Sequence, residues 1–151
     1  MATNPVVVGV DGSEDSRIAL EWAVEYGRRY EAPVEAVAVW SVPYSFGYMP
    51  PYAESRAEVK ENARKMLDET VQETVGGDAG VIQRIEHGPP AEVLVAASGS
   101  AQLLVLGTRG HGAFAGMLLG SVSQHCVAHS KCPFVVVPNP EGRSKGKAKK
   151  K

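Results

Sequence analysis

Two rhythms of apolar and polar positions divide the chain. Residues 6–10, 34–40, 103–106 and 134–137 are nearly unbroken apolar runs, the pattern of strands covered on both faces. After the first of them, Ile18, Trp22, Tyr26 and Tyr30 recur at every fourth position, which predicts a helix capped at Ser13 or Asp15 and running to about Glu31. A second helical pattern, Val59, Ala63, Met66, Leu67, Thr70 and Val71, covers 53–75 and stops at Gly76-Gly77. Residues 81–86 mix apolar with charged side chains, as an edge strand does. His87-Gly88-Pro89-Pro90 turns into a short helix over 91–97, and a last helix covers 121–130.

Five strands alternating with four helices predict right-handed crossovers, hence an open, all-parallel α/β sheet with helices on both faces. A chain of 151 residues suits one core rather than two. The expectation is a single domain over 1–140 and a basic, solvated tail over 141–151. A hydrophobic content of 44% with 22% charged residues is that of a soluble globular protein, and no apolar run approaches the length that spans a bilayer. Met1-Ala2-Thr3-Asn4 leads directly into a strand without a basic leader, so the expected compartment is the cytoplasm.

The formal net charge of −1 hides an asymmetry. Residues 143–151 hold six of the 16 basic side chains, which leaves ten against 17 acids, a net of −7, for the rest. Such a tail can touch nucleic acid, anionic lipid or an acidic partner. No aromatic residue is interleaved to stack on bases, so a nucleic-acid role is not expected. Cys126 and Cys132 lack a CxxC spacing and read as buried, inert thiols of a reducing compartment. His125 and His129 stand one helical turn apart near Cys132, but a fourth ligand and the glutamate of HExxH are missing, so no metal site is expected there.

Candidate chemistry gathers where the strand ending at Gly107 gives way to glycines 110, 112, 116 and 120 and then a helix at Ser121. Strand, glycine loop and helix start are how a backbone holds phosphate, because glycine lets N–H groups approach an anion and the helix start attracts it. A mobile surface loop is the other reading. The Walker lysine is absent, since the residues at its place are Gly120-Ser121-Val122. Gly110-His111-Gly112-Ala113-Phe114-Ala115-Gly116 approaches a dinucleotide fingerprint, but no strand ending in a ribose-binding acid follows it. Ser121-Val122-Ser123-Gln124 also reads as a capping box, and Asp11 as a turn residue or cap. Residues 41–52 are rich in proline and aromatic side chains; they read either as a lid over a purine ring or as a plain connection.

The spacing Gly107-x2-Gly110-x9-Gly120-Ser121 resembles the ATP-binding signature of the universal stress protein family. Val6-Val7-Val8-Gly9-Val10-Asp11-Gly12-Ser13 is similar to that family's opening strand and acidic turn, and Cys132-Pro133-Phe134-Val135-Val136-Val137-Pro138 to its closing strand. The resemblance implies the strand order 3-2-1-4-5, which sets the loops after the first and fourth strands face to face across a crevice. It implies that Gly107 and Gly110 pass close to ribose and phosphates. Gly120, Ser121 and the N–H of Val122 would receive the phosphate tail, and Asp11 and the main chain of Val39 would lie on the nucleoside side. Gly12 and Thr108 complete the expected site. Arg109 and His111 fall outside the family pattern; the guanidinium suits bidentate phosphate contact. ATP would bring Mg2+, held largely by water and phosphate oxygens, without a dedicated protein cage.

The resemblance further implies a homodimer in which Phe134, Val135, Val136 and Val137 pair with their own copy across a two-fold axis. The function it implies is an adenine-nucleotide-dependent regulatory or protective module in stress response, with protein partners that the residues do not name. Three alternatives stay open. One is a slow ATPase, although no Walker lysine or clear general base is apparent; the others are a sensor of another adenine nucleotide such as cyclic AMP, and an interaction dimer with an empty crevice.

Overall fold

The computed structural model describes residues 3–42, 55–110 and 119–140. Five strands, β1 (Val6–Gly9), β2 (Val34–Trp40), β3 (Ile82–His87), β4 (Leu103–Gly107) and β5 (Phe134–Val137), form one sheet. Its order is β3-β2-β1-β4-β5 and every pair is parallel, as expected. The crossovers are α1 (Glu14–Tyr30), α2 (Arg56–Thr74), α3 (Pro90–Ser98) and α4 (Ser121–His129).

The alternation of side chains along each strand splits the core in two. Val6, Val8 and Val10 point to one face with Ala36, Ala38, Leu103 and Val105, where Ala19, Leu20 and Ala23 of α1 and Leu67 and Val71 of α2 cover them. Val7, Val37, Leu104 and Leu106 point to the other, under Leu94 and Ala97 of α3 and Cys126 of α4. β1, buried over its whole length, is the central strand that its unbroken valine run predicts.

The stripe Ile18, Trp22, Tyr26, Tyr30 is not the buried face of α1. That face is Ala19, Leu20, Ala23, Val24 and Gly27, while Trp22 is 36% and Tyr30 60% exposed. Small residues let the helix lie close to the sheet: a Cβ at Gly27 would stand 2.6 Å from Cγ2 of Val34 and 2.8 Å from the Ala32 carbonyl oxygen. The aromatic rings form a row of their own, Trp22 stacked on Tyr26 with centroids 5.4 Å apart and Tyr26 tilted against Tyr30 at 4.6 Å, and Tyr26 is partly buried against the core.

α2 opens at Arg56 rather than 53, because the Ser55 hydroxyl accepts the Glu58 N–H and fixes the helix start. A short 3-10 turn at Gly77–Ala79, not foreseen, links it to β3. β3 is an edge strand; its Arg84 bridges Glu35 and Glu86 at 2.8 and 2.9 Å, and these pairings raise the guanidinium pKa. Cys126 is buried, and burial pushes its thiol up to about 11, whereas Cys132 is only half-buried, not the buried thiol expected. Among the described residues no helix is long and apolar enough to cross a membrane. Most of the proline-rich stretch 41–52, residues 111–118 and the tail 141–151 lie outside the described residues.

Candidate functional site

β1 and β4 are neighbours whose crossovers leave in opposite directions, to β2 on one side and β5 on the other. At this switch point the loops beyond their carboxyl ends cannot cover each other, and a crevice opens. It has a volume of about 340 Å³, within the range of small-molecule sites. One wall is apolar, built by Val37, Val39, Pro90, Leu94 and Leu106; the other is backbone-rich, built by Gly107, Gly110, Gly120, Ser121 and Val122. Asp11 and Arg109 are charged residues on its rim.

The acidic turn is shaped by its own bonds. Gly12 adopts φ 84°, a conformation that costs a side-chain residue energy. Asp11 Oδ1 accepts the Ser13 N–H at 2.9 Å, and the Ser13 hydroxyl in turn caps α1 by accepting the Ser16 N–H at 3.2 Å. The turn reading of Asp11 therefore coexists with a place on the crevice. Its other oxygen lies where a Cβ on Gly110 would collide with it, so the acidic turn and the glycine loop meet, about a hundred residues apart in sequence.

Each end of the glycine loop is pinned. The Gly120 N–H donates to the Thr108 carbonyl at 2.7 Å, and the Ser123 hydroxyl donates to the Gly107 carbonyl at 2.8 Å. Gly107 owes its identity to packing: a Cβ there would stand 2.7 Å from the Asp15 carbonyl oxygen. Gly120 differs, since an added Cβ would meet only ordinary contacts, the nearest 3.4 Å away at Arg109 Cα.

Gly120, not Ser121, is the N-cap of α4, and no side chain caps it. The expected capping box is thus not formed, because Ser121 sits one residue too late. Gln124 reaches instead to the Leu119 carbonyl at 2.6 Å. No acidic residue occupies the first turn. The N–H groups at this helix start, which have no partner within the helix, thus belong to residues on the crevice wall, Ser121 to Ser123.

Thr108 turns away from the crevice. It is buried, and its hydroxyl donates to Asp15 Oδ2 at 3.0 Å; the Arg109 N–H reaches the same oxygen at 3.1 Å. Gly12 does not line the cavity either, whereas Asp11, Val39, Gly107, Arg109, Gly110, Gly120, Ser121 and Val122 all do. His111 lies outside the described residues. Asp15 was legible only as a helix cap. Leu94, Leu106 and Pro90, which build the apolar wall, gave no sequence signal beyond their element. Among the described residues no group of three or more His, Cys, Asp or Glu could hold a metal ion. His125 and His129 are exposed, their rings tilted against each other with centroids 4.5 Å apart.

Sheet order and crevice together define a doubly wound parallel α/β domain with a cavity at its switch point. The model of the universal stress protein family matches residues 3–138, and the chain belongs to that family. A universal stress protein of Mycolicibacterium smegmatis is 36% identical over 136 residues, 88% of this chain and 45% of the relative. The chain spans about half the length of the curated relatives it matches. Among solved structures, a universal stress protein in complex with cAMP is 28% identical, with a TM-score of 0.65 over 91% of this chain and 98% of that one. The universal stress protein from Archaeoglobus fulgidus in complex with dAMP shares the fold, with a TM-score of 0.60 at 22% identity over 90% of this chain and 98% of that one.

Proposed function

We propose that the crevice binds an adenine nucleotide, ATP first among them, and that the chain acts as a homodimeric, nucleotide-dependent regulatory or protective module in the cytoplasmic stress response. The observation that carries this reading is the pairing of an apolar wall with an uncapped helix start in one cavity. A purine needs the first, since its faces are apolar, and a phosphate tail the second. In the resulting pose the base lies against Val37, Val39 and Leu94, the ribose near Asp11, and the phosphates at Gly120 to Ser123. Mg2+ fits as the companion of the phosphates, because among the described residues the crevice offers a single carboxylate, Asp11.

Acid denaturation of freshly purified protein, with chromatography and mass spectrometry of what is released, tests this reading. Nucleotide near one per chain is the expected result. The cAMP complex of a relative favours a second reading, a cyclic AMP sensor, which recovery of that nucleotide would select. Recovered ADP would favour the slow ATPase, whose phosphate release Gly120→Glu should abolish while the dimer persists. Nothing released, followed by no saturable binding of ATP with magnesium, would end the nucleotide reading. The dimer rests on β5, an edge strand whose Phe134, Val135 and Val136 are half-buried. Val135→Lys should lower the mass in light scattering to that of one chain.

A further inference from the structure

Asp15 stands behind the crevice rather than in it. It is 7% exposed, and its carboxylate joins three segments of the chain. Oδ2 accepts the Thr108 hydroxyl at 3.0 Å and the Arg109 N–H at 3.1 Å, with Arg109 Nε 3.8 Å away. Oδ1 accepts the Nδ2 of Asn139 at 2.8 Å. Asn139, 2% exposed, follows β5 by two residues, so the exit of an edge strand and the root of the glycine loop share one carboxylate. A buried carboxylate is tolerated only where its oxygens are bonded, and these bonds fix its place.

We propose that Asp15 is a positioning residue for the glycine loop, oriented by Asn139, and that this pair sets nucleotide affinity from outside the crevice. The proposal rests on the nucleotide reading above. Residues 108 and 109 begin the loop, and the Thr108 carbonyl also receives the Gly120 N–H, so moving the Asp15 carboxylate moves both ends of the phosphate cradle. Neither Asp15 nor Asn139 lines the cavity, so replacing them acts on a ligand indirectly, and Asn139, far from the acidic turn in sequence, reports on the loop most cleanly. The same linkage carries a disturbance at the β5 exit to the crevice.

The two oxygens of Asp15 have separable duties, which supplies the test. In the double variant Asp15→Asn with Asn139→Asp, the amide oxygen at 15 accepts from Thr108 and Arg109 while its amide nitrogen donates to the carboxylate at 139. Every hydrogen bond named above survives with donor and acceptor exchanged across one contact, while the charge moves from 15 to 139, away from the Arg109 Nε. Asn139→Ala removes the orienting bond.

ATP titration by calorimetry and hydrogen exchange at the Arg109 and Gly120 amides would be measured on the full chain. Asn139→Ala should weaken ATP by about tenfold and speed both amides by a similar factor, the loss of roughly one hydrogen bond to a charged group. Asn139→Asp alone, which keeps the packing at 139 but sets a second carboxylate against Asp15, should shift both as Asn139→Ala does, and the double variant should return both to within about threefold of the parent. Asn139→Ala with parental affinity and exchange, or a double variant no better than the single, would overturn the proposal. If the parent itself binds no ATP, the nucleotide reading fails separately. The positioning role then stands or falls on the two amides, faster in Asn139→Ala if Asp15 holds the loop and unchanged if it does not.

Discussion

α1 and α4 both start at the crevice, each leaving the carboxyl end of one of two adjacent central strands, and they are finished in opposite ways. α1 is closed by its own sequence: the Ser13 hydroxyl caps it, and Glu14 and Asp15 place acids in its first turn. α4 has glycine as its cap residue, no capping side chain and no acid in its first turn. A helix start carries partial positive charge and orphan N–H groups, and α1 satisfies both internally. α4 leaves both to whatever enters the cavity. On the proposed reading the difference gives the crevice a direction, with an anion received at α4 and the turn of Asp11 on the other side.

The contrast breaks most sharply at Gly120. Gly120→Glu puts a carboxylate at the open helix start, and ATP affinity should fall by about a hundredfold, roughly 2.7 kcal/mol, in calorimetric titration. Ser121→Asp sharpens the point by making α4 resemble α1. It should weaken ATP by about tenfold while stabilising the ligand-free protein by about 0.5 kcal/mol in urea unfolding, since an acid suits an unoccupied helix start. Ser13→Ala is the mirror experiment, expected to cost about 1 kcal/mol of stability while leaving affinity within about threefold. Affinity that tracked Ser13 rather than Ser121 would reverse the assignment.

A smaller effect separates the two thiols of the α4–β5 segment. Burial holds the Cys126 thiol neutral up to about 11, above its ordinary 9.0, so the folded chain keeps a proton that the unfolded chain releases. The stability this contributes is complete below pH 9 and is lost as pH rises toward 11. Urea midpoints should fall over that window and less so in Cys126→Ala. Alkylation of the folded protein should mark Cys132 first.

The architecture was legible because four of the strands are apolar runs and α1 and α2 carry a helical period, while the mixed residues of β3 read as an edge. The order 3-2-1-4-5 came from the resemblance, and the sheet agrees with it. α1 was legible in its extent and its cap at Ser13, but the four-residue stripe did not show that Ala19, Leu20, Ala23, Val24 and Gly27 form the face against the sheet. The capping box at Ser121 failed by one residue, because Gly120 already has the extended backbone of a cap and the helix begins after it. Thr108 could not be told from its neighbours by sequence, since a loop residue's direction depends on what waits behind it, here Asp15. The Asp15–Asn139 bond spans 124 positions and has no local signature. The crevice itself was legible where short-range chemistry dictates it, at glycines and helix starts, and hidden where it depends on partners brought by the fold.

Amide shifts during titration with ATP and magnesium test the central claim most directly. The account predicts saturable shifts at Ser121, Val122 and Ser123, with the Ser16 amide, held by Ser13, moving little. A larger saturable shift at Ser16 than at Ser121 to Ser123, or no saturable change at the α4 start, would contradict it.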